Sequence, residues 1–181
     1  GTVAGSNRKA ETDRISRDWA IGINLTETCY QSYNRTPTGL GPESFYFDDE
    51  DDATNRNGDM YILRPEVIES YFVAWRLTHD PRYREYAWEA ALAIHKHCRT
   101  PSGGYSGVHN VMATPTTKDD TQQSFFFAET LKYLFLIFSN DDLLPLDRFV
   151  FNSEAHILPI CGANPAYPAE LCTAPYQVYK S

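Results

Sequence analysis

The tripeptide Arg64-Pro65-Glu66 opens a stretch in which Ile68, Tyr71, Phe72 and Trp75 recur at helical spacing as far as Thr78. Proline suits the first turn of a helix, where its fixed φ is helical and its missing N–H would have had no partner. A second series, Tyr83, Tyr86, Ala87, Ala90 and Ile94, begins directly after His79-Asp80-Pro81. Two helices joined by so short a connection lie antiparallel and share a face. The chain is thereby constrained to helical hairpins, and the other segments agree. A helix from Lys9 to Tyr33 is expected to stop at Thr36-Pro37-Thr38-Gly39. Another, from Thr121 to Ser139, has Ala128, Leu131, Leu134, Phe135 and Phe138 on its expected core side, with Phe125 and Glu129 on a different side. Phe149-Val150-Phe151 and Ile157-Leu158-Pro159-Ile160 flank a polar turn and read as a short β-hairpin. The expected fold class is all-α with that one hairpin. The second helix ends at Thr100-Pro101-Ser102-Gly103, an echo of Thr36-Pro37-Thr38-Gly39 that hints at a repeated helical unit.

Glu66 and Glu69 stand three apart, so both carboxylates project from one face at the mouth of the helix. Paired carboxylates suit acid/base chemistry. Acids in a first turn also stabilise the positive end of the helix dipole, so the spacing alone leaves both readings open.

At 181 residues, 42% hydrophobic and 14% aromatic, the chain has material for one ordinary core. A net charge of −8 without a basic cluster gives no footprint for a phosphate backbone, and nucleic acid is not an expected partner. The apolar runs Phe125–Ala128 and Leu134–Phe138 are too short to span a bilayer, so no membrane contact is expected from this segment. Its first residues carry neither an initiating Met nor an apolar signal core, and they read as the interior of a longer chain. The acidic run from Asp48 to Asp59 reads as a solvated loop; its Gly and Glu positions do not match an EF-hand. Cys29, Cys98, Cys161 and Cys172 are too widely spaced for a zinc site. Cys161 and Cys172 bracket a Pro-rich tail, and either close a short loop in an oxidising compartment or remain reduced thiols. The sequons Asn24-Leu25-Thr26 and Asn34-Arg35-Thr36 lean toward a secretory context.

Five segments in order carry a resemblance: Arg64-Pro65-Glu66-Val67-Ile68-Glu69-Ser70, Trp75-Arg76-Leu77-Thr78, Gly103-Gly104-Tyr105-Ser106-Gly107, Ser124 to Tyr133, and Val150 to His156. Upstream, Glu27-Thr28-Cys29-Tyr30 and Thr38-Gly39-Leu40-Gly41-Pro42-Glu43 join them. Together they resemble the carboxyl-terminal part of glycoside hydrolase family 47, the class I α-1,2-mannosidases. The resemblance implies part of a barrel of seven αα hairpins, plugged by the carboxyl-terminal β-hairpin. Residues 1–160 would form the carboxyl-terminal portion of that single catalytic domain, and residues 161–181 a tail. It implies calcium-dependent, inverting hydrolysis of terminal α-1,2-linked mannose from high-mannose N-glycans, in the endoplasmic reticulum, the Golgi or outside the cell. The implied partners are a high-mannose oligosaccharide or glycoprotein and the amino-terminal part of the same barrel.

By the same resemblance Glu66 is the general base, with Arg64 and Glu69 lining its pocket. Phe125 and Glu129 match the family's F-x-x-x-E element on the sugar, and Glu154 contacts the terminal mannose. Ser153 stands where the family has Thr and would give its hydroxyl and carbonyl oxygens to Ca2+. Such an ion takes about six to eight hard oxygens, so water held by these carboxylates would complete its shell. His156 reads as a structural hairpin residue. Nothing in residues 1–60 matches the family's general acid, so this chain alone is expected to be weak or inactive and marginally stable, with Cys29 lacking its usual upstream partner. The alternative is a quality-control protein that binds mannose glycans without hydrolysing them.

Overall fold

The computed structural model describes residues 2–45 and 58–172, with side chains from residue 11 onward. Most of the acidic run expected to be a solvated loop lies outside the described residues. Four helices carry the architecture: α1 (Thr2–Asn34), α2 (Glu66–Thr78), α3 (Arg82–Cys98) and α4 (Leu131–Phe138). A π-helical turn, Phe126–Thr130, leads into α4, and a 3-10 turn, Asp141–Leu143, follows it. Strand β1 (Phe149–Phe151) pairs antiparallel with β2 (Ile157–Pro159), with Val150 opposite Leu158. A last turn, α5 (Ala169–Cys172), closes the described chain.

Helix α1 starts at Thr2, well before Lys9, because its first residues have no apolar period to signal a helix and no proline to prevent one. It ends as expected. The T-P-x-G echo proves to be one β-turn used twice: the Gly39 N–H donates to Thr36 O, and the Gly103 N–H to Thr100 O, each at 3.2 Å. Both glycines have positive φ, 70° and 94°, which an L side chain resists.

Helix α2 is the centre of the packing, in contact with α1, α3, α4 and the π turn. The α2–α3 connection is as tight as the sequence suggests. His79 takes the left-handed conformation at φ 54°, returning its N–H to Trp75 O at 2.7 Å, and Pro81 then opens α3. Two arginines secure the far end of α4. Arg84 of α3 donates to Ile137 O at 2.8 Å while its guanidinium lies 4.0 Å from the Trp75 ring centre. Arg76 of α2 donates to Asp141 O and Leu144 O at 2.9 and 2.7 Å, and it pairs with the Asp141 carboxylate. Cations at a helix carboxyl terminus answer carbonyls that have no partner inside the helix.

The buried face of the π turn and α4 differs from the expected one. Leu134 is buried and Leu131 half-buried, as expected, together with Phe126, Glu129, Thr130, Tyr133, Leu136 and Ile137, whereas Phe135 and Phe138 are 63% and 45% exposed and Ala128 is exposed. The segment LKYLFLIF is apolar almost all round, so its period cannot select a face. The turns between Arg99 and Gln123 also carry isolated bridges, Tyr61 with Val108 and Val108 with Lys118, too short to leave an alternating pattern. In the tail, Cys161 and Cys172 form a disulfide with their Cα atoms 6.2 Å apart, which decides between the two readings of that loop. Cys98 is a fully buried thiol pushed up to about 12 by desolvation, and Cys29 is a partly buried one.

The hairpin is fastened by rings. Phe151 of β1 lies edge-on to Phe72 of α2 at 5.7 Å and tilted to Tyr133 of α4 at 5.8 Å, and Phe72 and Tyr133 are themselves 5.4 Å apart. Phe72 is also the ring under Arg76. Phe72→Ala is therefore expected to cost about 3–5 kcal/mol, read as a lower urea midpoint with an unchanged slope in the intact protein.

Candidate active site

Leu63, fully buried, holds a φ of 70°, a strained conformation for a branched side chain, directly before Arg64. Its carbonyl accepts a 2.7 Å hydrogen bond from the buried Thr130 hydroxyl. Arg64 precedes a proline, which disfavours helical backbone at its position. These constraints aim the Arg64 side chain and start α2 with Glu66 and Glu69 on its first turn.

Arg64 donates from Nε to Glu43 Oε2 at 2.7 Å, and its Nη1 stands 3.8 Å from Glu66 Oε1. The Phe125 ring centre lies 5.9 Å from the guanidinium carbon. Glu66 is open, with 62% of its side chain exposed. Glu69 is half-buried and accepts a 3.1 Å hydrogen bond from the Tyr133 hydroxyl. Glu129, turned inward by the π turn, is 5% exposed. Burial pushes its carboxyl up, and the negative charges of Glu154, Glu66 and Glu69 push it further; Lys132 opposes them. These acids come from α2, the π turn and the hairpin, which the Tyr133–Glu69 and Lys132–Ala155 hydrogen bonds hold together.

Ser153 and Glu154 form the exposed tip between β1 and β2. Asn152 Oδ1 accepts the N–H groups of Glu154 and His156 at 3.0 and 2.8 Å, which shapes the turn. Its amide nitrogen then donates to His156 Nδ1 at 3.1 Å, so His156 serves the turn, as expected of a structural residue. Ala155 is fully buried with φ 53°, and Lys132 donates to its carbonyl at 2.7 Å, tying the tip to α4.

Of the seven residues singled out in the sequence, Arg64, Glu66 and Glu69 stand at the start of α2, Phe125 and Glu129 at the π turn, and Ser153 and Glu154 at the hairpin tip, elements that Thr130, Tyr133 and Lys132 tie to one another. Arg64 and Glu66 border a cavity of about 380 Å³ with Tyr33, Tyr61 and Glu43, while Glu69 borders a groove of about 510 Å³ between α1 and α2. The sequence reading missed Glu43, Thr130, Lys132 and Tyr133 as supports. Each lies within or beside a quoted motif, but no periodicity states what its side chain will touch.

Hard oxygen donors of the kind a hard cation takes are present on these elements: the carboxylates of Glu66, Glu69, Glu129 and Glu154 and the hydroxyl of Ser153. Among the described residues no three acidic, histidine or cysteine side chains are placed to hold a metal ion.

The sequence profile of glycosyl hydrolase family 47 matches residues 1–160. Mannosyl-oligosaccharide alpha-1,2-mannosidase IA of Drosophila melanogaster is 54% identical over 167 residues, covering 91% of this chain and 25% of the relative. Mannosyl-oligosaccharide 1,2-alpha-mannosidase IA of Sus scrofa is 58% identical over 146 residues, covering 80% and 22%. The chain thus spans about a quarter of the length of these curated relatives. A solved alpha-1,2-mannosidase from Trichoderma reesei aligns with a TM-score of 0.71 at 34% identity, over 78% of this chain and 34% of that one.

A carboxyl group whose pKa is higher in the folded than in the unfolded chain adds stability as pH falls and loses it as pH rises through the folded value. Without calcium, Glu129→Gln in the intact protein should therefore melt above the parent near about pH 7–8, and the gap should close toward about pH 4. Thermal melts across that range check the sign; a gap that widens on acidification would contradict it.

Proposed function

The chain belongs to glycosyl hydrolase family 47, and on that premise we propose that it is the carboxyl-terminal portion of an αα barrel that hydrolyses terminal α-1,2-linked mannose from high-mannose N-glycans. The carrying observation is that hydrogen bonds from Thr130 to Leu63 O, Tyr133 to Glu69 and Lys132 to Ala155 O join the three elements that bear Glu66, Glu69, Glu129 and Glu154. The relatives' names state the same bond and sugar. Residues 1–160 form the barrel portion and residues 161–181 its tail. Seven hairpins are needed to close the barrel, and the exposed rings of Trp88, Phe135 and Phe138 on α3 and α4 support a missing amino-terminal part packing there.

In the proposed mechanism Glu66 is the general base. Its open carboxylate takes a proton from the water that attacks the anomeric carbon, and the leaving oxygen receives a proton from an acid outside this chain, with inversion at carbon. Phe125 offers its ring to the sugar, while Glu69, Glu129 and Glu154 accept from sugar hydroxyls or ordered water. Arg64 supplies positive charge beside the base. When bound, calcium would be held by Ser153 and would orient two adjacent sugar hydroxyls. Tyr133 keeps Glu69 turned into the site, and Lys132 holds the Ser153–Glu154 tip against α4. The Cys161–Cys172 disulfide supports a place in the secretory pathway or outside the cell. The non-hydrolytic glycan-binding alternative is not favoured, since the relatives bear the names of hydrolases.

The test needs protein with the whole barrel. Glu66→Gln should lower mannose release from a high-mannose oligosaccharide by about 10²–10⁴-fold while the glycan still binds, and a calcium chelator should stop release by the parent. Parental turnover in the Gln variant would remove Glu66 from the mechanism.

A further inference from the structure

Two carboxylates compete for Arg64, and the nearer one is not Glu66. Glu43 Oε2 accepts from Arg64 Nε at 2.7 Å, whereas Glu66 Oε1 is 3.8 Å from Arg64 Nη1, beyond a hydrogen bond. The Glu43 side chain is 19% exposed and that of Glu66 is 62% exposed. Water screens the Glu43 pair less, so its attraction is the stronger on both distance and surroundings.

Glu43 is also the better fixed. Its N–H donates to Met60 O at 2.9 Å. The preceding turn is anchored by buried Thr38, which donates to Val111 O at 2.7 Å, and by Thr36, which donates to Leu40 O. Gly41 lets the segment lie against the Tyr33 ring, which a Cβ at that position would overlap. Arg64 has a backbone set by Leu63 and Pro65, so only its side-chain torsions decide which acid it meets. Without the charge on Glu43, Glu66 is the carboxylate left within about 1 Å of hydrogen-bond reach.

Resting on the hydrolytic reading above, we propose that Glu43 is a positioning residue of the reaction: it holds the Arg64 guanidinium off Glu66, leaving that carboxylate free of a direct hydrogen bond and able to take the proton of the attacking water. Arg64 thereby lends charge to the site without occupying the base. The sequence placed Arg64 and Glu66 together but contained no sign that a third residue keeps them apart.

The test is a pair of variants in protein with the complete barrel, read by steady-state mannose release. Glu43→Gln keeps the shape of the side chain and should lower kcat about tenfold or more with little change in KM. Adding Arg64→Met removes the displaced cation and should raise kcat severalfold above that of the single variant, at whatever cost in KM. A supporting role for Glu43 in the loop alone would give no such recovery, so a double variant with kcat no higher than Glu43→Gln overturns the inference. A crystal structure of Glu43→Gln gives a readout independent of turnover: Arg64 within about 3.2 Å of Glu66 is expected, and an Arg64 that stays at its present separation overturns the inference. Should the parent release no mannose, the hydrolytic reading fails, and that structure still decides where Arg64 goes.

Discussion

The π turn at Phe126–Thr130 is the constraint on which the site depends. The Leu131 N–H reaches back to Phe126 O, which widens the helix by one residue and turns the following side chains by about 100° relative to an uninterrupted helix. Four residues at this junction then each take a separate part. Glu129 enters the acid cluster, Thr130 holds the Leu63 carbonyl, Lys132 holds the Ala155 carbonyl of the hairpin turn, and Tyr133 holds Glu69. One short segment therefore fixes the start of α2 and the tip of the hairpin relative to each other.

The cost of that arrangement is electrostatic. Burial, and after it the charges of Glu154, Glu66 and Glu69, raise the proton affinity of Glu129, while of the positive charges nearby Lys132 is hydrogen-bonded to a carbonyl and Arg64 to Glu43. A site whose own cations are so engaged has capacity for a ligand rich in donors, such as a sugar with its hydroxyls, or for a hard cation. The strain at Leu63 belongs to the same account. Its left-handed backbone is maintained by burial and by Thr130, and it directs Arg64 to the place where Glu43 receives it.

Much of the fold was legible because it rests on local chemistry. The α2–α3 hairpin follows from the apolar period and from His79-Asp80-Pro81, the two T-P-x-G turns from proline and glycine, and the β-hairpin from its apolar flanks. The face of α4 was not legible, since LKYLFLIF offers apolar atoms in every direction and only its neighbours determine which are buried. Of the site, the residues with functional candidacy were found through their motifs, and hydrogen bonds join the elements that bear them. Their supports were not, because a hydroxyl, an ammonium or a phenol in a helix carries no sign of a partner some sixty residues away, as Thr130 has in Leu63 and Tyr133 in Glu69.

By itself, then, the sequence determined the helical hairpins, the turns that end them, the short β-hairpin, the family and the identities of the acids. These depend on residue type and on spacing of a few positions, where backbone preference and side-chain period act directly. The tertiary structure alone decided which carboxylate is buried, which face of α4 is covered, that Cys161 and Cys172 are joined, and that Arg64 lies with Glu43 rather than with Glu66. Those outcomes turn on differences of about 1 Å and on exclusion of water, and both arise only when distant segments pack together.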